Sequence, residues 1–238
     1  MNKKITESYK ARLAAEEGYR VTHGAALRIA LCYPNTYEIG MANLGLHTMY
    51  ELFNSIPDVS CERVFLPNRD EMADYERTRT PLLSLETQTP VRDFDVVAFS
   101  ISFETDYLNM ARMLRLSGIP VWSSERTHHD PLVIMGGAAS FLNPEPIADF
   151  TDVIAVGEGE ILAYQLIDAI FEHETREDIL LALARIGRGF YVPSLYDVIY
   201  NDDGTVFDYL PNTEGVPKRV GRALAAVNPK EGTLRRAL

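Results

Sequence analysis

Short apolar blocks alternating with stretches of helical spacing constrain this chain more than any other feature. LRIALCYP (27–34), VSCERVFLP (59–67), DVVAFSIS (95–102), PLVIMGG (131–137) and DVIAVG (152–157) read as strands, and IPVWS (119–123) as a further short one. Between them, MANLGLHTMYELFNSI (41–56), RDEMADYERTR (69–79), TDYLNMARMLRLSG (105–118) and EGEILAYQLIDAIFEH (158–173) read as helices. Strands that are apolar throughout must be covered on both faces, and interleaved helices do that. The expected fold class is α/β, a doubly wound parallel sheet of about five strands.

The rhythm changes after Arg188. GFYVPSLYDVIYNDDGTVFDYLP (189–211) alternates as strands do, with NDDG as its turn, so a small β-hairpin appendage is predicted. The expected organisation is an N-terminal helical extension (1–26), an α/β body (27–187), the hairpin (188–217) and a basic linker or tail (218–238). That last stretch holds six Lys and Arg against the one acid Glu231.

The net charge of −11 makes the chain a poor partner for a nucleic-acid backbone. Its basic stretch has no interleaved aromatics for base stacking, so no nucleic-acid contact is expected. The sequence has no apolar run of ~18 residues, so no membrane span is expected. The Lys residues of the N-terminus are not followed by an apolar core, so no secretory signal is read there. A cytoplasmic location follows by default. Cys32 and Cys61 lie in no CxxC motif and read as small buried hydrophobes. His128 and His129 are adjacent, which is not metal-ligand spacing, and sit in a polar loop.

Ligands of open α/β sheets bind outside the carboxyl ends of the strands, so chemistry is sought just past each strand. PNTYEIGMANLG (34–45) is either a plain loop or a ligand-facing one offering backbone N–H groups and the Tyr37 hydroxyl. In SISFETDYLN (100–109), Ser100 and Ser102 share a strand face, where small hydroxyls let a flat ligand approach or pack under a helix. Glu104 or Thr105 begins the next helix. Gly136 and Gly137 allow close backbone contact or a simple tight turn.

In DVIAVGEGE (152–160), Gly157 and Gly159 free the chain to turn into a helix. Glu158 and Glu160 suit the positive end of its dipole. Two carboxylates there would repel a phosphate, and neither GxGxxG nor GK[ST] is present. A neutral or hydroxyl-rich ligand fits better. Glu158, Glu160 or Asp106 acting as an acid/base pair on a small substrate is a weaker reading, because no nucleophile or metal motif accompanies them.

Taken in order, YEIGMANLGLHTMYELFNSIPDVSCERVFLP, LETQTPVRDFDVVAFSISFETDYLNMARMLRLSGIPV, DPLVIMGGAASFLNPEPIADFTDVIAVGEGE and GFYVPSLYDVIYNDDG resemble the N-terminal part of a family of radical S-adenosylmethionine (SAM) proteins. That part carries a cobalamin-binding-like domain, and the resemblance runs from about Arg28 to Lys218. It implies a Rossmann-like domain holding a corrinoid across the strand ends. Ser100 and Ser102, with Gly136 and Gly137, would line the slot for the nucleotide tail. Asn35, Tyr37, Glu38, Gly40 and Met41, with Gly157, Glu158 and Gly159, would border the ring or the tail, and Glu104 completes the implied set.

Two departures from the family pattern bear on function. DxHxxG, whose His ligates cobalt, is absent, so cobalamin would bind without a protein His ligand or the domain is a scaffold. CxxxCxxC is also absent, so no iron–sulfur cluster is expected in this chain. The chain ends about where the family's catalytic barrel would begin. This implies an accessory domain without catalysis of its own, whose partner is a radical SAM catalytic domain or subunit. The alternative is a docking domain that binds no corrinoid.

Overall fold

A computed structural model of the chain describes residues 3–224 and the two-residue strands 226–227 and 234–235. In the body, β1 (Leu27–Tyr33), β2 (Val59–Phe65), β3 (Val96–Ser100), β4 (Leu132–Gly136) and β5 (Val153–Ala155) are parallel, in the order β2-β1-β3-β4-β5. Winding reverses between β1 and β3. Right-handed crossovers therefore place the helices that follow β1 and β3 on opposite faces. The expected doubly wound sheet is what the chain forms.

Local chemistry starts and stops the helices. The one-turn α2 (Tyr37–Gly40) leads to α3 (Leu44–Ser55), where the Asn43 side chain accepts the Leu46 N–H at 2.9 Å. A reciprocal Asn68/Glu71 capping box opens α4 (Arg69–Thr78). Gly118, left-handed at φ 73°, closes α5 (Tyr107–Ser117). After β5 come α6 (Gly159–Glu172) and α7 (Arg176–Arg185). The N-terminal α1 (Lys3–Ala14) belongs to the core. Ile5, Tyr9 and Leu13 recur on one helical face and are buried, and the Tyr9 and Tyr75 hydroxyls meet at 3.0 Å.

Two expectations are corrected, and one helix is added. IPVWS forms no strand; it runs irregularly into a short 3-10 turn at Ser123–Glu125. Phe190–Tyr191, read as part of the hairpin, is instead β6, a sixth and antiparallel strand against β5. The hairpin proper is β7 (Tyr196–Tyr200) with β8 (Val206–Pro211). α7 was not anticipated.

Both sheet margins are occupied. β6 covers the β5 side. Along β2, the Leu85 N–H donates to the Arg63 carbonyl at 2.7 Å, and the Glu86 carboxylate accepts the Arg63 N–H at 2.7 Å.

The expected basic tail falls partly outside the described residues, Lys230 and Arg236 among them. Its described beginning is not a free tail. Gly221 bridges to Arg188 and Ala223 to Gly157, and Ala223 is buried.

Candidate functional site

The body's strand ends surround a cleft of about 340 Å³ between α3 and α6. Its floor is one face of the sheet. Leu31 pairs with Ala98, Ala98 with Ile134, and Ser100 with Gly136, so side chains two residues apart line up across β1, β3 and β4. Ala98, Ser100, Gly136 and Ala155 make this floor low. Thr48 and Met49 of α3 and Leu162 and Ala163 of α6 form the walls, with Phe190 of β6 behind them. The cleft is chiefly apolar, with the Ser100 and Thr48 hydroxyls and the Glu160 carboxylate as its side-chain polar groups.

The glycines around it have different causes. At Gly137 (φ 101°), an added Cβ would strike the Ile101 backbone. At Gly157 (φ 142°), it would strike the Ala223 backbone. Both are required by the protein's own packing as well as by their left-handed conformation. At Gly159 the obstacle is the Met49 sulfur at 2.5 Å. Gly136 has no such cause. Its φ is ordinary, and a Cβ there would meet only the Ala155 Cβ, at 3.7 Å. Protein interiors are close-packed, so an uncompelled glycine at the floor of a cleft marks room for something else.

Five of the sequence-predicted residues line this cleft: Ser100, Gly136, Gly137, Gly157 and Gly159. Ser102 lies beyond the end of β3, its hydroxyl accepting from the Asn43 amide at 3.3 Å. Glu158 takes the N-cap position of α6, its backbone N–H donating to the Ala223 carbonyl at 3.0 Å. Glu104 is exposed in a 3-10 turn ahead of α5.

The loop after β1 is turned toward the protein. The Tyr37 hydroxyl donates to Glu16 at 2.7 Å, and the Asn35 amide donates to Asp106 at 3.3 Å. Gly40 packs against the Phe65 ring, and the Met41 sulfur accepts from the Arg63 guanidinium at 3.1 Å. Glu38 lies 3.9 Å from Arg12. Its own backbone N–H, the Thr36 hydroxyl and Arg12 together hold its carboxyl below the ordinary value against the effect of burial.

The three carboxylates weighed as an acid/base pair are not gathered at the cleft. Glu160 lines it, but Asp106 is buried behind Asn35, and burial raises its carboxyl. His47, although close to the strand ends in sequence, has Nε2 2.8 Å from the Met41 carbonyl oxygen. Cys32 and Cys61 are free and buried, and no His, Cys, Asp or Glu cluster suited to a metal occurs among the described residues. No helix among the described residues is long and apolar enough to cross a membrane.

Sequence reading missed Ala98, Ala155 and Thr48. Ala98 and Ala155 each stand two residues before a predicted site residue, Ser100 and Gly157, so strand alternation extended one step back would have found them. Thr48 carries no comparable signal.

A ring of exposed apolar side chains crowns the same end of the sheet. Ile39 and Leu44 follow β1, Phe103 and Leu108 follow β3, and Phe141 and Leu142 follow β4.

A protein-family model described as "Radical SAM proteins, N-terminal" matches residues 45–193, well over half of the chain. The chain is also similar to the uncharacterized protein MJ0966 of Methanocaldococcus jannaschii, 24% identical over 132 residues. That alignment covers 56% of this chain and 24% of the relative, so the chain spans about a quarter of the protein it matches.

Proposed function

The chain belongs to the radical SAM N-terminal family, and from that premise we propose that it is an accessory domain that holds cobalamin for a radical SAM catalytic domain. The observation that carries this reading is Gly136: an extended-strand glycine that no neighbour requires, at the floor of a strand-end cleft.

The residues present fit the group. The cleft is of the size class that takes a small ring system, at the low end of the ~300–1,000 Å³ of ligand sites. Its small-residue floor and apolar walls suit the flat heterocycle of a nucleotide tail, and Ser100 and Thr48 offer hydroxyls to the tail's polar atoms. The corrin ring carries neutral amides, which can donate to the Glu160 carboxylate at the rim. Exposed Phe103, Leu108 and Leu142 offer it an apolar seat. A bound corrinoid supplies a cobalt–carbon bond for methyl transfer or rearrangement. The protein's part is to grip the tail and leave the ring facing outward. No DxHxxG motif offers a cobalt ligand, and the His47 Nε2 is engaged, so cobalt would carry no protein His.

The test is titration of the purified chain with hydroxocobalamin, followed by absorbance and by co-elution on gel filtration. Binding at micromolar levels, abolished in Gly136→Leu while the melting curve is kept, supports the reading. No spectral change and no co-elution for the folded wild-type chain rejects it.

A second reading rests on the apolar crown itself. Those side chains would serve equally to dock a catalytic domain without any corrinoid. Capture of an iron–sulfur radical SAM partner by corrinoid-free protein, lost in a Phe103→Ser/Leu108→Ser variant, would favour it.

A further inference from the structure

A second cavity, of about 510 Å³, lies on the opposite face of the sheet from the cleft. Tyr191 and Val156 line it, whereas their chain neighbours Phe190 and Ala155 line the cleft, as strand alternation requires. It is roofed by the hairpin and by the segment that returns along Gly157. Its chemistry differs from that of the cleft, being aromatic and bearing cations.

Four contacts define that chemistry. The Arg222 guanidinium lies over the Phe141 ring, 4.4 Å from its centroid. No carboxylate pairs with Arg222 among the described residues, whereas Lys218 is engaged by Asp208 at 2.6 Å. Tyr191 and Tyr196 meet edge to face, 5.3 Å between centroids. Glu145 lines the cavity together with Tyr191 and Tyr209, and burial first, then its negative charge, raises both phenols. A guanidinium stacked by its face keeps its edge donors free, and that edge matches two oxygens of a phosphate. Tyrosine rings offer a surface for a flat heterocycle, and a carboxylate accepts from an exocyclic amino group.

We propose that this cavity binds a mononucleotide bearing an amino-substituted base. Arg222 takes the phosphate, Tyr191 and Tyr196 pack the base, and Glu145 accepts from its amino group. The −11 net charge of the chain opposes a long polyanion and favours a single nucleotide over a strand. The fold also supplies what the sequence order hides: the cations at 218 and 222 have aromatic neighbours, contributed by residues 141, 191, 196 and 209. The site is separate from the cleft and does not rest on cobalamin binding.

Isothermal titration of the full chain with AMP, IMP, adenosine, inorganic phosphate and a short oligoadenylate tests it. AMP is expected to bind, with adenosine and phosphate each about tenfold weaker or more, because each keeps only part of the contacts. IMP, which lacks the amino group, should be weaker than AMP. Arg222→Gln should weaken AMP about tenfold, and Arg222→Lys should not restore it, since Lys has no planar face. Arg28→Gln, which removes a cation over Phe94 elsewhere, should leave the affinity unchanged. Tyr191→Leu, checked for an intact melt, provides a second lesion. Absence of AMP binding, or AMP binding indifferent to both Arg222→Gln and Tyr191→Leu, overturns the proposal. Oligoadenylate binding far tighter than AMP overturns the mononucleotide in favour of a strand.

Discussion

Gly157 and Ala223 face each other across a parallel bridge. The Ala223 N–H donates to the Val156 carbonyl and the Glu158 N–H to the Ala223 carbonyl, each at 3.0 Å. This pairing joins the turn between β5 and α6 to a segment more than sixty residues later, and it makes Gly157 a structural requirement.

Gly157→Ala should therefore destabilise the fold by about 1–3 kcal/mol, from a left-handed backbone and a clash with Ala223. Gly136→Ala, at the tip of the neighbouring strand, should be neutral or slightly stabilising, within about 1 kcal/mol, since its Cβ meets no obstacle. Urea unfolding of the two variants measures the contrast. Equal destabilisation would remove the distinction between a glycine held by packing and one left for a guest.

Arg63 should be among the costliest polar residues to truncate. Its side chain is 3% exposed; Nε donates to Glu86 and one terminal nitrogen to Glu16, each at 2.7 Å, and it lies over the Tyr50 ring. Arg63→Met strands the buried Glu86 carboxylate, and about 3–5 kcal/mol should be lost. Adding Glu86→Leu should recover a sizeable part of it. A double variant as unstable as the single would show that the loss is not one of charge pairing.

A second buried charge knot holds the opposite end of the sheet. The Asp152 carboxylate accepts the Val133 N–H at 2.7 Å and pairs with Arg126 at 3.1 Å and with Arg176. Asp152→Ala should cost about 3–5 kcal/mol, because the fully buried Arg126 loses its counter-charge. Because the knot lies at the amino ends of β4 and β5, the same variant, where still folded, should bind hydroxocobalamin as the wild type does. Absorbance titration below the melting temperature checks this.

Cys32 and Cys61 should react with a thiol reagent only when the chain opens. Burial raises both thiols well above the ordinary range, which removes the reactive thiolate. Labelling by a chromogenic disulfide should be slow in buffer and complete within mixing time in denaturant. Fast labelling of either residue in the native chain would contradict the packing of β1 against β2.

The sheet was legible because buried parallel strands leave a signature that polar loops do not imitate. Each of the five parallel strands lies inside its predicted apolar run, and the helix read over 105–118 does end at Gly118. IPVWS misled because an apolar block of five residues is too short to show a period; Pro120 within it has no N–H for a ladder, and only Ile119 is buried while Trp122 is exposed. β6 was hidden because two residues, Phe190 and Tyr191, show no period. Of the site, the residues on strand tips could be read from alternation. The loop after β1 could not, because whether Tyr37 faces a ligand or Glu16 depends on where α1 and its following loop return, which local pattern does not encode. The aromatic company of Arg222 was equally invisible, since it is assembled from three distant stretches.

The two occupied margins of the main sheet have a consequence for how copies of this chain can meet. Along β2, Leu85 and the Glu86 carboxylate engage the Arg63 backbone and the Asn54 amide engages that of Cys61, so this flank offers little free ladder to a neighbouring molecule, while β6 covers part of β5 on the other flank. Self-assembly by strand addition would first have to peel away a segment anchored by Arg63. Association through the β2 flank is thus disfavoured against the helical surfaces or the crown above the strand tips, where side chains rather than backbone would set the specificity.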